Sequence, residues 1–196
     1  MTRIETVFAE TVAAHHATLQ RSAAAIQQAA DLMRESLSRG GKILAFGNGG
    51  SAADSQHVAA ELVNRFRIER RAFAALALTT DTSVLTSIAN DSDYARVFAR
   101  QIEALGRPGD VALGISTSGR SSSVLTAFEQ ARAQSLKAIA LLGPDPSAVS
   151  NLADICILVP ASSTARVQEV HRTILHVLCE LLESGSAWAP HSSSGT

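Results

Sequence analysis

The chain has 196 residues and a formal net charge of −1, with 46% hydrophobic residues and only 4% aromatics. That length suits one well-buried domain rather than two, and the near balance of charge leaves no electrostatic footprint for nucleic acid or an anionic membrane. A core of Ala, Leu, Ile and Val with few aromatics is the usual material of helices laid on a parallel sheet. Cys156 and Cys179 sit in apolar contexts and form no C-x-x-C, which argues against a disulfide framework or a cysteine zinc site and fits a reducing compartment. Glu5, Glu10, His15 and His16 interrupt any apolar leader, and no run reaches the length of a membrane span, so a soluble cytoplasmic protein is expected.

In chain order, Arg3 to Ser38 is Ala-rich, carries apolar residues at helical spacing and lacks Gly and Pro; the pattern predicts two helices with a short break near Gln20. Strands are predicted over Lys42 to Phe46, Phe73 to Leu78, Val111 to Ser116, Lys137 to Leu142 and Ile155 to Val159. Helices are predicted between them, over Ser51 to Phe66, Thr82 to Ala89, Ala95 to Leu105 and Ser122 to Gln134, with a long final helix over Ala165 to Glu183. Alternation of this kind implies right-handed crossovers and an α/β fold whose parallel sheet is covered on both faces and binds ligands at the carboxyl ends of its strands. The whole reads as one domain over residues 1–183, including the helical stretch 3–38. Residues 184–196 are small, polar and without period, and are expected to be disordered or loosely docked.

The first predicted strand breaks into Gly47-Asn48-Gly49-Gly50-Ser51 and then into a helix. Glycines there let the backbone turn tightly and bring N–H groups against a ligand, and the positive end of the helix points at the same place, so an anion is expected. His57 and Glu61 stand four apart, on one helical face below that loop. Gly47, Gly49 and Ala52 also satisfy a G-x-G-x-x-A dinucleotide fingerprint, with Asp81 at the tip of the following strand, and a tight turn without any ligand is a further reading. A second loop, Ser116-Thr117-Ser118-Gly119-Arg120-Ser121, shifts the balance toward a phosphomonoester, because hydroxyls and helix N-terminal amides converge there. Ser121 or Ser122 taken singly reads as a helix cap. On the final helix, Val167, Val170, Ile174, Val177 and Leu181 form an apolar stripe with His176 beside it, while Gln168 lies eight residues earlier. A lone His in that place is more often a hydrogen-bonded core residue than a ligand. His171 falls about 140° round from His176 and is expected in solvent.

At these residues the chain resembles the sugar isomerase (SIS) domain superfamily and, within it, the bacterial phosphoheptose isomerases. The likeness spans roughly residues 1–183 and rests on Gly47 to Asp54, Gln56 to Glu61, Ala89-Asn90-Asp91, Gly114 to Gly119, and Ala165 to His171 with His176 after them. It implies a flavodoxin-like three-layer α-β-α sandwich with a five-stranded parallel sheet, a homotetramer, and interconversion of sedoheptulose 7-phosphate and D-glycero-D-manno-heptose 7-phosphate. It also implies a zinc ion in each subunit on His57, Glu61, Gln168 and His176, with Glu61 and His176 as the acid/base pair. Ser116, Thr117, Ser118 and Ser121 correspond to the phosphate-binding hydroxyls. Asn48, Gly49, Gly50, Ser51, Asp91 and Gln168 correspond to sugar-contacting positions, with Glu61 facing the substrate as well.

Three positions depart from the family pattern: Arg120 stands where Asn is usual, Pro144-Asp145-Pro146 replaces a glycine-rich loop, and Ala165 takes the place of an Asp found in some members. The superfamily also contains non-catalytic phosphosugar-sensing and protein-binding regulators, among them a replication-initiation factor close in sequence, and the presence of both Glu61 and His176 favours an enzyme. An aldose–ketose isomerase needs a base, an acid and something to hold the developing oxyanion. Two imidazoles, a carboxylate and an amide oxygen suit Zn²⁺ by donor type. One difficulty stands: on a straight helix Gln168 and His176 lie about 12 Å apart along the axis. Either the two side chains lean together, or the helix starts after Gln168, or the two residues serve one site from different protomers.

Overall fold

The first helix, α1 (Arg3–Ser38), runs unbroken for 36 residues. It opens on a capping box in which the Thr2 hydroxyl accepts the Glu5 N–H and the Glu5 carboxylate accepts the Thr2 N–H. The break expected near Gln20 is absent, because the polar residue that follows is used across the fold. Ser22 is buried, donates its hydroxyl to the Leu158 carbonyl at 2.7 Å and accepts the Leu158 N–H at 3.2 Å. A hydroxyl engaged with a strand does not compete with its own helix backbone. These observations come from a computed structural model that describes residues 2–146 and 148–184, so the predicted tail lies, apart from Ser184, outside the described residues.

Five strands follow: β1 (Ile43–Gly47), β2 (Ala75–Ala77), β3 (Val111–Ser116), β4 (Lys137–Leu142) and β5 (Ile155–Leu158). All pair in parallel, in the order β2-β1-β3-β4-β5. This is the flavodoxin-like doubly wound order. β2 is shorter than predicted, since Phe73 sends its N–H to the Leu62 carbonyl and its ring into the core rather than joining the ladder.

The remaining helices are α2 (Gly50–Val63), α3 (Thr82–Asp91), α4 (Ala99–Leu105), α5 (Ser122–Ala133) and α6 (Thr164–Glu183). The single helix predicted for Ala95 to Leu105 is instead a 3₁₀ turn, Tyr94–Arg96, followed by α4, with Val97 and Phe98 turned into the core at the junction. α1, α2 and α6 cover one face over a core of Ile43, Leu113, Ile115, Leu141, Val170 and Leu178. α3, α4 and α5 cover the other, where Phe46, Phe98 and Phe128 meet at centroid distances of 5.6 and 5.4 Å about Phe46.

β1 and β3 are neighbours, with Gly47 in register with Ile115, yet their chains leave toward opposite edges of the sheet: β1 continues through α2 to β2, and β3 through α5 to β4. A crevice opens where strand connections diverge in this way, outside the carboxyl ends of the strands. Both loops singled out from the sequence border it.

Candidate active site

β1 ends at Gly47 and α2 begins at Gly50, so only Asn48 and Gly49 make the first turn; Gly49 supplies the left-handed conformation at φ +57°. The Asn48 amide joins the two loops: its Nδ2 donates to Ser121 Oγ at 2.8 Å and to Ser123 Oγ at 2.9 Å, while its Oδ1 accepts from Tyr94 Oη at 2.9 Å. In the second loop, Ser116 Oγ accepts the Gly119 N–H at 3.1 Å and Ser118 Oγ accepts the Arg120 N–H at 3.3 Å. Ser121 occupies the N-cap of α5 but makes no capping bond, and α2 is likewise without a side-chain cap. No side chain therefore competes for either helix start at this crevice, although the Ser51 and Ala52 N–H groups turn back on the Asn48 and Gly49 carbonyls and Val124 on Ser121; two helix starts facing one crevice are the arrangement that draws an anion. Asp81, the acidic residue a dinucleotide would need, is spent as the cap of α3, accepting the Val84 N–H at 2.9 Å.

α2 and α6 run side by side on the same face, and a polar seam forms between them. At its upper end a β-carbon on Gly50 would strike the Gln168 carboxamide, so that glycine is what lets the amide lie against the start of α2. One turn on, Arg172 grips Asp54 Oδ1 through Nε at 2.9 Å and Nη2 at 2.6 Å, with Asp54 itself buried. Next, His57 Nε2 and His176 Nε2 face each other at 2.7 Å, and Glu61 Oε1 lies 3.6 Å from the same His57 nitrogen. Burial lowers the pKa of His57, the Arg172 guanidinium lowers it further, and Glu61 opposes them. Cys179 is pushed up to about 12, chiefly by burial and then by the carboxylates of Glu61 and Glu183, which keeps the thiol protonated and unreactive.

The fold thus gathers Asn48, Gly49, Gly50, Ser51, Ser116, Thr117, Ser118, Ser121 and Gln168 around the crevice, and His57, Glu61 and His176 on the seam. α6 is continuous through Gln168, so the helix does not begin after that residue, and within one chain Gln168 and His176 stay about 12 Å apart along the axis. Asp91 stands apart, exposed at the end of α3, where its carboxylate accepts from the Asn90 amide; it lines a cavity of about 470 Å³ with Ser87, Ser92, Arg96 and Arg100. His171 is fully buried rather than solvated, with Nε2 on the Leu142 carbonyl at 3.1 Å, and burial lowers its pKa.

Tyr94, Ser123, Asp54 and Arg172 were missed by the sequence reading. Asp54 and Arg172 carried a faint signal, one turn before His57 and one turn before His176, and Tyr94 is the only tyrosine in the chain.

The SIS domain family matches residues 7–143. With the doubly wound sheet and the loop pair at its switch point, the chain belongs to the SIS domain proteins. It is 57% identical over 162 residues to a phosphoheptose isomerase of Thiobacillus denitrificans, covering 81% of this chain and 82% of that one. It is 52% identical over 189 residues to a phosphoheptose isomerase of Paramagnetospirillum magneticum, covering 94% and 98%. The solved structure of a phosphoheptose isomerase from Neisseria gonorrhoeae superposes with a TM-score of 0.89 at 43% identity, over 93% of this chain and 98% of that one. Within the SIS proteins, the chain is a member of the phosphoheptose isomerase family.

Proposed function

We propose that this chain is an aldose–ketose isomerase that interconverts sedoheptulose 7-phosphate and D-glycero-D-manno-heptose 7-phosphate through an enediol intermediate, the first step toward nucleotide-activated heptose. The observation that carries the reading is the convergence, in a member of this family, of an uncapped double helix terminus with a carboxylate and two imidazoles. A non-catalytic, phosphosugar-sensing role is not favoured, since relatives similar over nearly the whole chain carry the name of the enzyme.

In this reading the hydroxyls of Ser116, Thr117, Ser118 and Ser121 and the first-turn amides of α5 hold the phosphate, and Asn48, Gly49, Gly50, Ser51 and Gln168 hold the sugar. Glu61 removes a proton from the carbon beside the carbonyl. His176 serves the neighbouring carbon or its hydroxyl, and His57 keeps the imidazole pair aligned. A zinc ion is also proposed. The donors suit it by chemistry, yet the two imidazole nitrogens at 2.7 Å are in hydrogen-bond contact, closer than the roughly 3.3 Å between two tetrahedral zinc ligands. Among the described residues no group of three His, Cys, Asp or Glu is set to take a metal as it stands. His57, Glu61 and His176 would hold the ion after the rings part by about half an ångström, with Gln168 as fourth donor, and the metal would polarise the substrate oxygens as a Lewis acid.

We further propose a cytoplasmic homotetramer with composite sites. α1 leaves Ile4, Phe8, Val12 and Leu19 more than 60% exposed along its outer face, and such a stripe is covered in a stable protein. Another copy of the chain is the proposed cover, and no helix among the described residues is long and apolar enough to cross a membrane. Sharing sites between copies would also bring one chain's Gln168 to another's His176. Incubation with sedoheptulose 7-phosphate, followed by detection of the aldose, tests the activity. Light scattering at about four times 20.5 kDa tests the assembly, and a fully active monomer sinks it.

A further inference from the structure

The segment after α2 has no regular secondary structure, yet its backbone is held from one point. Glu183, the last residue of α6, is buried and accepts the N–H groups of Phe66 at 2.8 Å, Arg67 at 2.9 Å and Ile68 at 3.2 Å, together with Arg70 Nε at 3.0 Å. Burial pushes the carboxyl pKa up, but the three amides and the guanidinium outweigh it and hold the group below its usual range, so it stays an anion. Arg70 is equally buried and gives its remaining N–H groups to the carbonyls of Leu62 at 3.0 Å, Arg71 at 3.1 Å and Glu61 at 2.8 Å. One ion pair therefore ties the backbone of Glu61 to the loop that carries Phe66.

The Phe66 ring lies on the His176 imidazole, with centroids 5.2 Å apart and planes 29° from parallel. His176 is thus confined on one side by the stack and by the 2.7 Å contact with His57. An imidazole free to turn about its Cβ–Cγ bond would present its nitrogens to many directions. A flat neighbour removes most of that freedom, and small misplacements of a proton-transfer group are expensive in rate.

We propose that Phe66, anchored through the Glu183 carboxylate, is a positioning residue for the isomerisation: it fixes the plane of the His176 ring so that Nε2 stays aimed at the place where His57 and Glu61 meet. The inference rests on His176 acting in proton transfer. Phe66 is only partly buried, so replacing it perturbs the ring contact more than the core.

Four single substitutions and the native enzyme decide the matter, assayed with sedoheptulose 7-phosphate. Phe66→Leu is expected to lower kcat about tenfold while KM stays within about twofold, and Phe66→Tyr, which keeps a flat ring, to restore kcat. The Hε1 resonance of His176 should lose its ring-current displacement in Phe66→Leu and keep it in Phe66→Tyr. Glu183→Gln should reproduce the kcat loss in folded protein; where it does not fold, Phe66→Leu decides alone. Wild-type kcat in Phe66→Leu, or a change confined to KM or melting temperature, overturns the proposal. A His176→Gln control separates the two ideas: if it stays active, the proton-transfer reading fails and this inference with it. If it is dead while Phe66→Leu is fully active, only the inference fails.

Discussion

The crevice at the carboxyl edge and the seam between α2 and α6 are built by different kinds of contact. Around the crevice, short-range bonds within a few residues dominate, such as Gly119 to Ser116 and Arg120 to Ser118, and one amide, Asn48, bridges the two loops. Along the seam, apart from the His57–Glu61 contact within α2, the contacts join side chains from the first third of the chain to side chains from its last helix: Asp54 with Arg172, and His57 with His176. The crevice is redundant, with many hydroxyls and amides sharing one task. The seam is not, because each of its contacts depends on one particular pair of side chains, partly or fully withdrawn from water.

That contrast predicts unequal sensitivity. The largest effect should come from Glu61→Gln, which is nearly isosteric and so keeps fold and KM, yet should lower kcat by about 10²–10⁴-fold in an aldose-formation assay. Wild-type turnover would remove the seam from proton transfer. Chelation of divalent metal should follow, with a loss of about a hundredfold that added Zn²⁺ reverses. Full activity in rigorously metal-free protein would leave Glu61 and His176 as a simple acid/base pair.

Arg172→Met leaves the Asp54 carboxylate, 4% exposed, without its cation. Removing one partner of a fully buried pair costs about 3–5 kcal/mol, and because the Arg172 side chain is partly exposed a loss of about 2 kcal/mol is expected in urea unfolding. Ser121→Ala probes the redundant end: KM should rise by about fivefold with kcat nearly unchanged, one hydrogen bond being lost among several. A large kcat loss there would show that the two regions are not separable in this way.

The smallest effect is on acid stability. Glu183 has a folded pKa below its ordinary value of 4.5, so its contribution is fully present above that value and is lost as pH falls through the folded pKa. Glu183→Gln should therefore flatten the decline of stability with falling pH below about 4.5, as read by denaturant midpoints. An unchanged acid limb would show that the carboxylate is not held as the geometry indicates.

The crevice was legible in the sequence because its signals are local: glycines after a strand, hydroxyls before a helix. The elements were legible for the same reason, and errors arose where a residue acts over distance. The supposed break near Gln20 vanished because Ser22 bonds to Leu158, 136 residues away. His171 was misplaced because helical angle gives a direction but not the width of the buried face. α6 packs against α1 and α2 and on the sheet, so a position about 140° from His176 is still inside, on the Leu142 carbonyl. Tyr94 and Ser123 escaped notice because their importance lies wholly in reaching Asn48.

By itself, then, the sequence determined a parallel α/β sandwich, the glycine-rich and serine-rich loops at its switch point, and the pairing of His57 with Glu61 on one helical turn. Periodicity and turn chemistry are properties of neighbouring residues, and they suffice for these. Tertiary structure alone decided that His57 meets His176, that Arg172 closes on Asp54, that Gln168 lies on Gly50 and that Phe66 stacks on His176. Which helical faces meet depends on strand order, and the order β2-β1-β3-β4-β5, with α2 and α6 on the same side, is a global outcome that no local pattern encodes.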